Sequence, residues 1–104
     1  MQDSSTYENL SSYAQDYIET LVRSVDQRPD EAQAITSGAT KYGIKTVVNE
    51  NRLSLTQTEL DGWVAGLYEY LRTGTMSIRA AKDGLKPMYV TQILQASINY
   101  LDEI

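Results

Sequence analysis

Residues 56–74, TQTELDGWVAGLYEYLRTG, form the stretch that decides the fold. Thr56 and Glu59 have the spacing of a capping box, in which each side chain accepts a hydrogen bond from the other residue's backbone at the start of a helix. Apolar residues then recur at helical spacing, at Leu60, Trp63, Val64, Leu67 and Leu71. Gly74 follows where a helix commonly ends in a left-handed residue. The stretch therefore predicts an amphipathic helix between Thr56 and Gly74.

Two further helices are predicted before this stretch. Ser5 and Glu8 repeat the capping-box spacing, and a narrow apolar face follows them. Its members are Tyr7, Leu10, Ala14, Tyr17, Ile18, Leu21 and Val25. Pro29 suits the first turn of a second helix, which we expect to end at Gly43. Residues 44–55 leave two alternatives open, a short helix or an extended link.

Two helices are predicted after it. Ser77 begins a short helix that ends at Gly84, and Pro87 begins a fifth helix that continues to the C-terminus. The apolar positions of the fifth helix are Val90, Ile93, Leu94, Ser97, Ile98 and Leu101. No segment alternates apolar and polar residues between turn signals, so no strand is predicted. We expect an all-α fold, with residues 1–104 forming a single-domain bundle of about five helices, three long and two short.

An internal similarity suggests how these helices are arranged. Residues 41–45 (KYGIK) and 82–86 (KDGLK) share two lysines, a glycine and an aliphatic residue at matching positions. Each copy closes a predicted short helix that follows a long one. The pattern suggests two long-short helical hairpins plus a C-terminal helix, and chance similarity of five positions is the alternative.

Composition excludes several kinds of chemistry. The chain contains neither cysteine nor histidine, which excludes thiolate and imidazole catalysis as well as the usual zinc ligands. No phosphate-binding glycine loop is present, so we expect no enzyme, no cofactor and no metal. We also expect a cytoplasmic protein, because there is no signal peptide and no apolar run of membrane-spanning length. The net charge of −5 disfavours nonspecific binding to nucleic acid or to anionic membranes.

The charge is unevenly distributed along the chain. Residues 1–34 contain seven acidic and two basic residues, whereas residues 72–86 contain one acid, Asp83, and four bases. The bases are Arg72, Arg79, Lys82 and Lys86. They are candidates for contacts with phosphate or with an acidic partner. The alternative is that bases in the last turn of a helix only complement its dipole.

Two helix faces are candidates for a protein interface. Gly62 and Gly66 lie away from the apolar stripe of their helix, beside Tyr70, and form a smooth side that another helix can approach closely. In the fifth helix, Tyr89, Ile93 and Tyr100 widen the apolar arc beyond what a surface helix needs. The alternative for both faces is contact within the chain. Our first hypothesis is a non-enzymatic regulatory or adaptor module that binds another protein, or itself as a homodimer, through these faces.

The second hypothesis is a DNA-binding transcription regulator. Residues 77–98 have the outline of a helix-turn-helix, with the four bases placed near phosphates. The reading helix would present Tyr89, Thr91, Gln92 and Gln95 but no arginine, which is the residue that most often contacts bases. A short helix, a turn and a helix also occur in helical domains of every kind.

Overall fold

The computed structural model describes residues 4–103, and the side chains of residues 12–103. Its helices are α1 (Ser4–Gln27), α2 (Ala32–Glu50), α3 (Gln57–Thr73), α4 (Ile78–Lys82) and α5 (Pro87–Glu103), and a 3-10 turn at Pro29–Glu31 precedes α2. No strand occurs within residues 4–103, so the predicted all-α bundle of five helices is confirmed. Four of the helices are long rather than three. The predicted Ser5–Glu8 capping box lies outside the described side chains.

The centre of the bundle is α5, which packs against α2 on one side and against α1 on the other. Its inward residues, Val90, Ile93, Leu94 and Leu101, are buried in the hydrophobic core. Ser97 is also buried there, and its hydroxyl donates a hydrogen bond of 2.9 Å to the Ala39 carbonyl of α2. A buried hydroxyl needs such a partner because losing its hydration without one is unfavourable.

The prediction that the second helix ends at Gly43 is wrong. α2 continues through Gly43 to Glu50, and Ile44 and Val47 are buried core residues. The backbone instead turns left-handed at Arg52, whose φ is 54°. Gly43 serves close packing, because a Cβ atom there would meet the Ser97 hydroxyl and lie 2.6 Å from the Ile93 carbonyl oxygen. Gly43 therefore marks the contact between α2 and α5 and not the end of α2.

The long-short hairpin arrangement is correspondingly wrong for the first half of the chain. α2 has 19 residues and α4 has 5, so the two segments carrying the internal similarity belong to different structures. Gly43 lies inside a helix, whereas Gly84 lies in a turn with a φ of 97°. The similarity of residues 41–45 to residues 82–86 therefore has no counterpart in the fold.

The boundaries of α3, α4 and α5 agree with the sequence prediction. The Thr56 hydroxyl accepts a hydrogen bond from the Glu59 backbone, and the Glu59 carboxylate accepts one from the Thr56 backbone. Gly74 ends α3 in the left-handed conformation, with a φ of 77°. The hydroxyl of Ser77 caps α4 by accepting a hydrogen bond from the Ala80 N–H, and Pro87 is the first residue of α5.

Trp63 joins α3 to the rest of the molecule. Its indole Nε1 donates a hydrogen bond of 2.9 Å to the Asp83 carbonyl, and its ring stacks on Tyr89 with 5.7 Å between ring centroids. One buried side chain thus fixes α3 against both the turn after α4 and the first turns of α5. This contact fixes the position of α4, which carries the candidate site described next.

Candidate functional site

The glycine face of α3 is covered by α4 within the chain. A Cβ atom at Gly62 would meet the Asp83 carboxylate, and one at Gly66 would meet the Ala80 side chain. Tyr70 is buried as well. These three residues therefore have an internal role, which was the alternative to an interface, and a partner cannot reach them while α4 remains in place. We do not assign them to an interface.

The predicted flank of α5 is also largely internal. Ile93 is fully buried, and Tyr89 is half-buried against Trp63. The half-buried Tyr100 lies with its ring centroid 5.2 Å from that of Tyr42 on α2. The broad apolar arc of α5 is thus explained by its central position, since two helices cover it. It requires no second chain.

The side chains that α5 exposes give little support to the helix-turn-helix hypothesis. A reading helix must present a free side to the major groove. Of the four residues proposed to read bases, only Gln95 is exposed, and the other three are half-buried. Thr91 donates a hydrogen bond to the Pro87 carbonyl, and Gln92 accepts one from Asn51. The C-terminal end of α5 exposes two acids, Asp102 and Glu103. No observation favours DNA reading over protein binding.

The surface around α4 provides a different candidate, which we call the corner patch. It is an open depression of about 470 Å³ lined mainly by Met76, Ile78, Ala81, Lys82, Leu85 and Pro87. Because Ala80 faces α3, the five-residue helix turns Ile78 and Ala81 outward. Ile78 is 77% exposed, and Met88, directly after Pro87, is 56% exposed. The helical stripe pattern does not identify this surface, because α4 is too short to show a pattern.

The four predicted basic residues are exposed, on or near the segment that carries the corner patch. Lys82 lines it, Lys86 is exposed immediately before Pro87, and Arg79 is exposed on α4. Arg72 is exposed in the last turn of α3. The Arg79 Nε lies 3.8 Å from a carboxylate oxygen of Asp83, which is a loose ion pair. The local excess of positive charge predicted from the sequence therefore coincides with exposed apolar side chains.

α1 presents a second exposed surface, which we call the acidic strip. It comprises Ile18, Glu19, Val22 and Asp26, with Asp16 and Arg23 at its edge, all exposed on α1. Ile18 is 39% exposed and Val22 is 52% exposed. We expected Ile18 on the core face of its helix, but the core contacts of α1 run through Ala14 and Tyr17, so Ile18 lies at the boundary. Val22, one turn later, is not among the apolar positions predicted for this helix.

A cleft between α2 and α3 is the other apolar concavity of note. It measures about 410 Å³ and is lined by Lys41, Lys45, Val48, Leu55, Leu60 and Val64, with Gln57 and Asp61 completing it. Its lysines are opposed by Asp61 on α3, so the cleft has a weaker charge preference than the corner patch. Among the described side chains, residues 12–103, no group of three acidic residues is arranged to hold a metal ion. Over residues 4–103, no helix combines the length and hydropathy needed to span a bilayer.

Comparison with models of protein families, with curated proteins and with solved structures found no match to this chain.

Proposed function

We propose that this chain is a non-enzymatic regulatory or adaptor module that binds another protein through the corner patch. The observation that carries the proposal is the exposure of Ile78, at 77%, within a depression lined by Met76, Leu85 and Pro87. An apolar anchor surrounded by a partly apolar surface is typical of sites that bind proteins. Lone exposed apolar residues are common, but Met88, which follows the lining residue Pro87 in the chain, adds a second one at 56% exposed.

The chemistry of the partner follows from the charge around the patch. Arg79, Lys82 and Lys86 are exposed on or beside α4, and Asp83 is the one acid among residues 72–86. Charge complementarity favours a partner that brings carboxylates next to an apolar side chain. Such a surface is found on an acidic amphipathic helix, whose apolar residues enter a groove while its acids meet the rim.

Composition supports the non-enzymatic part of the proposal. A chain without cysteine or histidine lacks the two side chains that most readily act as nucleophile or as general base at neutral pH. We also propose a cytoplasmic location, for which the absence of cysteine is the supporting observation.

Site-specific photocross-linking tests the proposed function. A photoreactive amino acid replaces Ile78 in the chain expressed in its source cells, and adducts are identified by mass spectrometry. The matched control carries the same amino acid at Gln33, an exposed position on α2 far along the chain from the patch. We expect discrete protein adducts from position 78 at several times the yield of position 33, because an interface holds the partner against the reactive group.

A charge change in the patch provides a second control. Combining the position 78 cross-linker with Lys82→Glu and Lys86→Glu should reduce the adduct yield at least about fivefold, since removing cationic rim contacts weakens binding to an acidic partner. Equal and diffuse labelling from positions 78 and 33 would contradict the proposal.

A further inference from the structure

We infer that the partner of the corner patch is a second copy of this chain, which docks its acidic strip there. The inference rests on the proposed function and specifies its partner. It assigns the contact to the acidic strip of α1 from one copy and to the corner patch of the other. Both surfaces belong to the same chain, and they carry charges of opposite sign.

The charges of the two surfaces are opposite. The acidic strip carries Asp16, Glu19 and Asp26, with Arg23 as the base on the same stretch of helix. The segment that carries the corner patch has three exposed bases, Arg79, Lys82 and Lys86, of which Lys82 lines the depression, and Asp83 is half-buried against α3. A net excess of acid on one surface meets a net excess of base on the other. Such complementarity fixes orientation and disfavours contacts between like surfaces.

The apolar side chains are arranged to match. Ile18 and Val22 are four residues apart and therefore lie on one face of α1, which is the spacing used by helices that insert two side chains into a groove. Ile78 in the corner patch offers apolar surface to receive them, and Met88, directly after the lining residue Pro87, is also exposed. These four residues are among the most exposed large hydrophobic side chains of the described part of the chain.

The two surfaces do not cover each other within one chain. α1 packs on α5 and α2, whereas α4 packs on α3, and Val22 and Ile78 both remain more than half exposed. A second copy can satisfy both surfaces. In a two-fold arrangement each copy contributes one strip and one patch, so the same contact forms twice.

Charge-reversal variants test this contact. The patch variant carries Lys82→Glu and Lys86→Glu, and the strip variant carries Glu19→Lys and Asp26→Lys; all four positions are exposed. A control matched to the patch variant carries Lys41→Glu and Lys45→Glu, which make the same change in net charge at exposed positions on α2. Sedimentation equilibrium measures self-association of each at low salt and up to several hundred micromolar.

We expect the wild-type chain and the control to self-associate with Kd values within about threefold of each other. The patch and strip variants alone should show Kd values raised at least about tenfold, because like charges then meet at the contact. Mixing the two variants should restore association, since the reversed strip of one again meets an opposite charge on the reversed patch of the other. Combining all four substitutions in one chain should restore it as well.

A wild-type chain that stays monomeric at these concentrations would overturn the inference. Weakening that neither mixing nor the fourfold variant restores would overturn it too, because the contact would then lie elsewhere. The cross-linking experiment separates this failure from failure of the proposed function. Adducts from position 78 to a different protein, with none to α1 of the same chain, would remove self-association while retaining the protein-binding function.

Discussion

Gly43 shows how one residue sets the distance between two helices. Without a side chain, it allows the α2 backbone to approach Ile93 and Ser97 of α5 closely, and Ser97 donates its hydrogen bond to Ala39 at the same crossing. Glycine weakens a helix by about 1 kcal/mol relative to alanine, and the close approach to α5 opposes this cost.

We expect Gly43→Ala to lower the free energy of unfolding by about 2–3 kcal/mol, because the new Cβ atom meets the Ile93 backbone carbonyl, which cannot move aside. The matched control is Gly38→Ala on the same helix. There the new Cβ atom would lie 2.9 Å from the Tyr100 hydroxyl, the movable end of a side chain. Urea unfolding should place the control within about 1 kcal/mol of wild type. Equal losses in both variants would contradict this account of Gly43.

Tyr17 is the other residue whose environment has a measurable consequence. Burial in the core raises the pKa of its hydroxyl above the ordinary value of 10.0, and the neighbouring Tyr68 raises it further. The hydrogen bond with Thr40, 3.3 Å between oxygens, acts in the opposite direction on the pKa and is outweighed. Folding therefore favours the protonated form of this tyrosine.

The sign of the pH dependence follows from this pKa. Below pH 10 both the folded and the unfolded chain keep the proton, so the contribution of Tyr17 to stability is fully present. As the pH rises above 10, the unfolded chain loses its proton first and stability falls. We expect the stability advantage of wild type over Tyr17→Phe, about 1 kcal/mol at pH 8 from the hydrogen bond, to shrink between pH 9 and pH 11. Chemical denaturation at each pH measures it, and a constant difference would contradict the prediction.

At the scale of helices, the sequence predicted the ends that depend on local chemistry. The Thr56–Glu59 capping box, the left-handed Gly74 and the capping Ser77 are recognisable because their hydrogen bonds join residues a few positions apart. The end of α2 was predicted wrongly because the role of Gly43 depends on a contact that is distant in the sequence. Gly43 resembles a helix end locally, and only the packing of α5 against it explains its role.

α2 ends in a common hydrogen-bonded motif, but Arg52 takes the position in it that glycine usually occupies. The Arg52 N–H donates to the Asn49 carbonyl and the Leu53 N–H donates to the Val48 carbonyl, which is the hydrogen-bond pattern of a Schellman end. Arg52 occupies the left-handed position, where glycine is preferred. Because no glycine marks this left-handed position, the sequence does not reveal where α2 ends.

We expect Arg52→Gly to raise the free energy of unfolding by about 0.5–1 kcal/mol, because glycine relieves the left-handed strain but gains freedom in the unfolded chain. Arg52→Ala is the control, since it removes the side chain and keeps the strain. Thermal unfolding should give a higher Tm for the glycine variant than for the alanine variant. A lower Tm for glycine would show that strain at this position is negligible.

The candidate site was predicted in part. The basic character of residues 72–86 is visible in the sequence, and the four bases are exposed as expected. The sequence placed the apolar component on faces that the chain itself covers, because periodicity shows which residues share a side of a helix but not which neighbouring helix covers that side. Gly62 and Gly66 are covered by α4, whereas Ile78 on α4 is left uncovered.

At the scale of the molecule, the contacts divide unevenly among the helices. α5 packs against both α1 and α2, whereas α4 has five residues and packs mainly on α3. α3 in turn is held by buried side chains, of which Trp63 reaches both the Asp83 carbonyl and the Tyr89 ring. The corner patch therefore lies on the part of the fold with the least support, and the acidic strip lies on a helix of the central bundle.

This division predicts unequal local stability. Amides of residues 93–97 in α5 should open only with global unfolding, whereas those near the end of α4, residues 81–83, should open locally and exchange at least about 100-fold faster relative to their intrinsic rates. Hydrogen exchange measured by NMR tests this directly.

Replacing Trp63 with Leu should further accelerate exchange at residues 81–83 before it affects residues 93–97, because it removes the hydrogen bond to the Asp83 carbonyl. Equal protection of both segments would mean that α4 opens only together with the central bundle. The corner patch would then be a rigid surface rather than one that a partner stabilises on binding.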